Sequence, residues 1–220
     1  MPIKIHDNLP ARELLLNEVV DVINSSSAEK QDIRPLRFLL LNLMPKKLQT
    51  EVQFARLLGA SPLQIELTLM TTETYVPKNT KKEHLIEFYK TLDDIKYNFY
   101  DVLIITGAPV ETVPFEDVKY WQELKEIILW SSTNVFRKIG ICWGAQALLK
   151  VLHNIEKYSM KEKLFGVFDH NLNQEKQYRL MQGFRNRFPM PVTRYTENKE
   201  NETITSGLEI LAISKKSGIG

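Results

Sequence analysis

The sequence predicts an α/β protein built on a doubly wound, mostly parallel sheet. Three observations carry the prediction. Two continuous apolar runs of strand length, "LRFLLLNL" (36–43) and "DVLIITG" (101–107), suit strands buried on both faces. Segments with helical spacing separate the strand candidates. The strand–helix alternation then repeats along the chain at lengths that fit βαβ units, which make parallel sheets with helices on both faces.

The elements follow in order. "ARELLLNEVVDVI" (11–23) has the apolar spacing of an amphipathic helix, and the polar stretch "NSSSAEKQD" (24–32) interrupts the chain before the first long strand. After 36–43 comes "KKLQTEVQFARLLGA", where Leu48, Val52, Ala55 and Leu58 mark a helical stripe and Gly59 a stop. "LQIELTL" alternates through Leu63, Ile65, Leu67 and Leu69, as a strand does. "KKEHLIEFYKTL" (81–92) reads as a helix and 101–107 as a strand closed by Gly107. "FEDVKYWQELKEIILWS" (115–131) reads as a helix with Val118, Trp121, Leu124 or Lys125, and Ile128 on one side. "RKIGIC" (137–142) is the next strand and "WGAQALLKVLH" (143–153) the next helix. Beyond residue 155 the rhythm weakens: "EKLFGVFDH" (162–170), "QYRLMQGF" (177–184) and "LEILAIS" (208–214) are short strand candidates of an added sheet. Sites in parallel sheets form at the carboxyl ends of strands, and the loops "NLMPKK" (42–47), "TGAPVET" (106–112) and "ICWG" (141–144) fall there.

The 220 residues suffice for one domain with a full core, taken as spanning 1–220 with an N-terminal arm over about 1–34. A net charge of +2 gives no reason to expect a nucleic-acid surface or a membrane patch. No stretch has the length of a membrane span or a signal peptide, and one cysteine cannot form an internal disulfide, so a cytoplasmic, reducing location is expected. An extended N-terminal arm can pack on a neighbouring copy, which leaves a homodimer open.

That single cysteine, Cys142, lies between Gly140 and Gly144 in a G-x-C-x-G pattern where strand meets helix. A sharp turn that lifts a nucleophile needs small residues two places to either side, because the backbones approach too closely for side chains. The turn aims the thiol at a helix start, whose amides favour the thiolate, and the Trp143 N–H can help hold an oxyanion. The alternative is a buried cysteine acting as a small hydrophobe. No second cysteine or H-x₃-H spacing supports a metal site. A base is harder to find among His6, His84, His153 and His170. His6 lies in the N-terminal arm, and His84 at a charged helix start is read as solvated. His153 is carried some 15 Å along its helix, and His170 is placed in a loop able to fold back. Lys46 and Lys47 follow the first long strand at the site end of the sheet, where they can meet an oxyanion or the phosphates of coenzyme A, or simply be solvated.

The stretches "IRPLRFLLLNLMPKKLQTEVQFARLL", "SPLQIELTLM", "NFYDVLIITGAPVETVPFEDVKYW", "ICWGAQALL", "EKLFGVFDH" and "TRYTE" resemble the homoserine O-acyltransferase family of methionine biosynthesis, along the whole chain. The resemblance implies a class I glutamine amidotransferase-like (flavodoxin-like) fold with a nucleophile elbow at Cys142. It implies a ping-pong reaction in which Cys142 takes the acyl group from an acyl-CoA co-substrate and L-homoserine then takes it from Cys142. No other cofactor and no metal is implied. Lys163 matches a substrate-binding lysine suited to an amino-acid carboxylate, and Thr193 a position, more usually serine, that contacts the acceptor; Arg194 beside it has a structural role. The family takes its base, a histidine with a glutamate, from a "GHPEY"-like segment beyond the strand that matches "LEILAIS". The sequence here stops before such a segment, so acyl transfer to Cys142 with little onward turnover is the expectation.

Glu111 matches the position that separates acyl donors: glycine accompanies succinyl, glutamate acetyl. Two like charges about 4 Å apart repel by roughly 4 kcal/mol at an effective dielectric near 20, and a third of that is about tenfold discrimination. Acetyl-CoA is therefore the expected donor. Four other readings stand beside homoserine O-acetyltransferase: transfer of succinyl to homoserine, transfer of acetyl to serine, a glutamine amidotransferase component, and a non-catalytic binding module.

Overall fold

The structure, a computed structural model, describes residues 2–18, 20–28, 33–74, 80–173 and 178–220. The chain divides into two compact units, residues 1–109 with 115–145 and residues 110–114 with 146–220. Among the described residues no helix is long and apolar enough to cross a membrane.

The first unit runs β1 (Ile3–Lys4), α1 (Ala11–Asn17), β2 (Val22–Ile23), α2 (Ser25–Ala28), β3 (Leu36–Leu41), α3 (Lys47–Gly59), β4 (Ile65–Met70), α4 (Lys82–Phe88), β5 (Tyr89–Lys90), α5 (Leu92–Ile95), β6 (Tyr100–Ile105), α6 (Trp121–Asn134) and β7 (Val135–Gly140), then enters α7 (Trp143–His153). Every strand pair is parallel, in the order β2-β1-β4-β3-β6-β7, with β5 paired to the end of β4. The apolar runs explain themselves. Leu40 and Ile104 join a core with Leu15 of α1 and Val52 and Ala55 of α3, while Leu39, Leu41, Leu103 and Ile105 are fully buried outside that cluster, as are Leu124, Ile127 and Ile128 of α6. Both faces of the central strands are therefore dry, as a parallel sheet requires.

Several boundaries differ from the sequence reading. The helix expected over 11–23 stops at Asn17, and Val22–Ile23 pairs with β1 instead. One turn of helix occupies Ser25–Ala28 inside the expected polar break, whose last residues, 29–32, lie outside the described residues. Gly59 ends α3 without a left-handed cap; its role is close packing, since a Cβ there would stand 2.7 Å from Val20 Cγ1. The helix read over 81–92 breaks at Tyr89, which leaves to pair with β4, and the helix read from 115 begins at Trp121 after a 3₁₀ turn at Phe115–Asp117. The buried face of α3 is also offset. Lys47, Glu51 and Ala55, four residues apart, point inward, whereas Leu48 is exposed.

The second unit holds β8 (Tyr158–Leu172), β9 (Arg187–Glu197), α8 (Glu200–Thr205), β10 (Ala212–Ser214) and β11 (Gly218–Ile219), an antiparallel sheet ordered β11-β10-β8-β9. The expected strand at 177–184 is a 3₁₀ turn at Arg179–Met181, with Leu180 exposed and residue 177 outside the described residues. The strand at 208–214 shrinks to its last three residues. β9 was not legible because Pro189 and Pro191 interrupt it, and proline is tolerated there because β9 lies at the sheet edge.

Candidate active site

Cys142 occupies the turn between β7 and α7 with φ of +54°, a conformation that non-glycine residues rarely adopt and that must be held by its surroundings. The flanking glycines explain the hold. A Cβ at Gly140 would lie 2.5 Å from Ala145 Cα, and one at Gly144 would lie 2.5 and 2.6 Å from the carbonyl oxygens of Ile105 and Thr106. Only glycine fits either position. Ile141 N–H extends the ladder to Ile105 O, and the N–H groups of Gly144 and Ala145 donate to Ile141 O and Cys142 O, all at 3.0 Å, starting the helix. The thiol is exposed, so the alternative of a buried hydrophobe does not hold.

The loop after β6 meets this turn, and the loop after β3 is bonded to it through Thr106. β4 lies on one side of β3 and β6 on the other, so the strand order reverses there, the place where parallel sheets form sites at their carboxyl ends. Thr106 ties the loops together: its Oγ1 accepts from Leu43 N–H at 2.8 Å, and its N–H donates to Leu41 O at 3.1 Å. Gly107 faces the cysteine, where a Cβ would stand 3.3 Å from Cys142 Cβ and 3.7 Å from Sγ. Trp143 anchors the far side. Its ring is fully buried, with centroids 5.9 Å from Phe115, 6.1 Å from Tyr120 and 6.4 Å from Trp121. Its backbone N–H is the first of α7, among the amides a helix leaves without an internal partner.

The two candidate lysines part company. Lys46 is exposed at the start of α3. Lys47 is buried, contrary to a solvated reading, and its Nζ donates to the Asn42 carbonyl and lies 5.1 Å from the Tyr89 ring centroid. Burial lowers its pKa to about 8, opposed by the nearby Glu51 charge. Glu51 Oε1 accepts from Tyr89 Oη at 2.6 Å, and Tyr89 Oη accepts from Asn42 Nδ2 at 2.8 Å. Burial first, and then the Glu51 charge, push the Tyr89 hydroxyl upward. His84 belongs to this network, with Nε2 2.9 Å from Glu51 Oε1. That corrects its reading as a solvated residue.

In the second unit, three sequence-proposed residues assemble. Thr193 pairs directly with Phe165 across β8 and β9, and Lys163 Nζ lies 5.2 Å from the Tyr195 ring centroid on the same exposed face. Glu111 reaches β9 through its carboxylate, which accepts from Tyr195 N–H at 3.1 Å. Arg194 donates to the carbonyls of Ser217 and Ile219, the structural role expected of it.

His170 is not in a loop. It lies in β8, fully buried, with Nδ1 3.0 Å from Phe168 O and Nε2 3.2 Å from Ser217 Oγ. Both nitrogens are engaged inside its own unit, so it is withdrawn as a candidate base. His153 is the last residue of α7, as the helix length implied. The sequence reading did not single out Thr106, Tyr195 or the Glu51 network. Their contacts join residues 33 to 84 positions apart, and no local spacing marks them.

The α/β fold with its mostly parallel sheet is that of class I glutamine amidotransferase-like structures. A glutamine amidotransferase from Thermotoga maritima superposes with a TM-score of 0.55 at 16% identity, covering 85% of this chain and 70% of that one. A putative GMP synthase protein from Thermoplasma acidophilum gives 0.53 at 14%, covering 85% and 77%. These likenesses establish the fold. The chain belongs to the homoserine O-succinyltransferase family, which it matches over residues 2–220, and is therefore a member of a family of acyltransferases. It is 50% identical over 221 residues to a homoserine O-acetyltransferase from Allorhizobium ampelinum and 49% identical over 220 to one from Bacillus pumilus. Those alignments cover all of this chain and 71% and 72% of the relatives.

Proposed function

We propose that the chain is a homoserine O-acetyltransferase in which Cys142 carries the acetyl group as a thioester. The observation that carries this reading is the held, exposed Cys142 at φ +54°, facing Gly107 at the carboxyl ends of β6 and β7. The Cys142 thiolate attacks the thioester carbonyl of acetyl-CoA. The oxyanion that forms is met by the Trp143 N–H at the start of α7. The intermediate collapses with cleavage of the bond to the coenzyme sulfur, which leaves as a thiolate and takes up a proton. A thioester exchanged onto a thiol stays activated for attack by an alcohol. The homoserine hydroxyl then attacks, loses its proton to a base, and Cys142 departs as a thiolate.

Lys163 is assigned to the acceptor carboxylate and Thr193 to the acceptor side chain, and their shared sheet face supports the pairing. Lys46, exposed, is the cation assigned to the coenzyme phosphates, and the buried Lys47 helps to order the loop after β3. Glu111 selects acetyl: its negative charge disfavours a donor with a distal carboxylate. The names of the relatives agree with acetyl, although the family takes its name from the succinyl reaction. The second step needs a base, typically worth about 10² to 10⁴ in rate. Among the described histidines, His84 and His170 are engaged elsewhere.

The test supplies acetyl-CoA or succinyl-CoA with L-homoserine or L-serine and follows free coenzyme A and O-acyl products. A burst of about one coenzyme A per chain from acetyl-CoA, a weaker one from succinyl-CoA, and a preference for homoserine in the slow phase are expected. Release of ammonia from glutamine would revive the amidotransferase reading, and no coenzyme A release from a folded chain would favour a non-catalytic one.

A further inference from the structure

The segment that carries Glu111 is gripped by a residue 46 positions away. Residues 110–114 are closed by a turn in which Val113 N–H donates to Val110 O at 3.0 Å. Lys157, the residue before β8, points its Nζ at this turn, donating to the carbonyls of Glu111 and, at 2.5 Å, of Val113. A surface lysine ordinarily extends its ammonium into water. Here the ammonium instead makes two charge-assisted bonds to backbone oxygens two residues apart, which fixes the peptide planes that follow Glu111 and Val113.

The other end of Glu111 is held as well. β8 and β9 pair as Ser159 with Thr196 and then Leu164 with Arg194, so residues 160–163 of β8 stand opposite the single residue Tyr195 of β9. β9 is the edge strand, and the Tyr195 N–H donates to the Glu111 carboxylate at 3.1 Å. Glu111 is thus fixed through its main chain by Lys157 and through its side chain by the Tyr195 N–H of β9, the strand that carries Thr193.

We infer that Lys157 is a positioning residue for acyl-donor selection, holding residues 110–114 so that the Glu111 carboxylate stands on the Tyr195 N–H. The inference rests on the reading of Glu111 as the donor-selecting residue and adds the group that places it. A lysine that merely stapled the loop would affect every donor alike. A lysine that acts through Glu111 affects the ratio of donors, and does so only while the glutamate is present.

The experiment compares the full chain with Lys157→Met, Lys157→Gln, Glu111→Gly and the Lys157→Met/Glu111→Gly double variant. Two readouts are taken: hydrogen exchange of the Tyr195 amide by NMR, and rates of Cys142 acylation from acetyl-CoA and succinyl-CoA by intact-mass spectrometry. Lys157→Met is expected to speed Tyr195 exchange by about tenfold or more with the rest of β9 unchanged. It should lower the acetyl-to-succinyl ratio towards that of Glu111→Gly, and add nothing in the double variant. Lys157→Gln, which keeps a neutral donor, should fall between, and serves if the methionine variant does not fold. Unchanged Tyr195 exchange would overturn the inference. So would an equal fall for both donors that persists in the Glu111→Gly background. If the native chain takes neither donor, the acyltransfer reading fails by itself, while the exchange measurement still decides whether Lys157 places Glu111.

Discussion

Replacing Gly144 with alanine tests how the Cys142 turn is built. The new methyl would stand 2.5 Å from Ile105 O and 2.6 Å from Thr106 O, about 0.9 Å short of ordinary contact at 3.4 Å. Both obstacles are backbone carbonyls of the β6 end, and Ile105 O also accepts the Ile141 N–H that continues the β6–β7 ladder. The strand cannot yield cheaply, so the start of α7 must move away by most of that distance. Trp143 moves with it, and its fully buried ring would lose packing against Phe115, Tyr120 and Trp121. Overpacking of this kind costs about 1–3 kcal/mol, and here the lost aromatic contacts add to it, so about 3 kcal/mol is expected. Urea unfolding followed by tryptophan fluorescence measures the cost, and the rate of Cys142 alkylation by iodoacetamide reports the thiol's setting. A Gly144→Ala variant within about 1 kcal/mol of the native chain, with an unchanged alkylation rate, would refute the close-packing account of the glycine.

Three further outcomes follow from the same geometry. Gly107→Ala places a methyl 3.3 Å from Cys142 Cβ and 3.7 Å from Sγ, so stability should change by less than about 1 kcal/mol while bulky alkylating reagents react several-fold more slowly than iodoacetamide. Glu111→Gly should shift the donor preference towards succinyl-CoA by about tenfold in relative acylation rate; an unchanged ratio would show that the Glu111 charge does not select the donor. The third outcome concerns Lys47, whose folded pKa of about 8 lies below its ordinary 10.5. Between those values the unfolded chain binds more protons, so this group's contribution to stability rises with pH and is flat below pH 8. Relative to Lys47→Met, the native chain should gain about 2 kcal/mol between pH 8 and pH 10, read from urea midpoints. A constant difference between the two proteins would place the amine in water.

The parallel sheet was legible because its central strands are buried on both faces, which leaves uninterrupted apolar runs such as Leu39–Leu41 and Leu103–Ile105. The Cys142 turn was legible because two glycines are forced by backbone contact, and such a need shows directly in residue type. Other features depend on partners distant in sequence. Tyr89 ends its helix early because an edge position beside β4 is open to it. Lys47 and Glu51 face inward although both are charged, since Asn42 and Tyr89 supply polar partners that spacing alone does not reveal. His170 looked available because it stands at the very end of the strand candidate 162–170 and was assigned to the loop beyond it, whereas β8 runs on to Leu172 and buries it against Ser217. Glu111 and Thr193 were singled out by resemblance, and the bond that ties Glu111 to β9 goes to a backbone N–H, which no residue type marks.

The central claim is that Cys142 accepts the acyl group. The most direct measurement is intact-protein mass spectrometry of the folded chain after brief exposure to acetyl-CoA without acceptor, with peptide mapping of the modified site. The expected result is a single acetyl group, on Cys142, removed by hydroxylamine and absent from a folded Cys142→Ala variant. Acetyl groups on lysines alone, or no modification of a chain shown by circular dichroism to be folded, would contradict it.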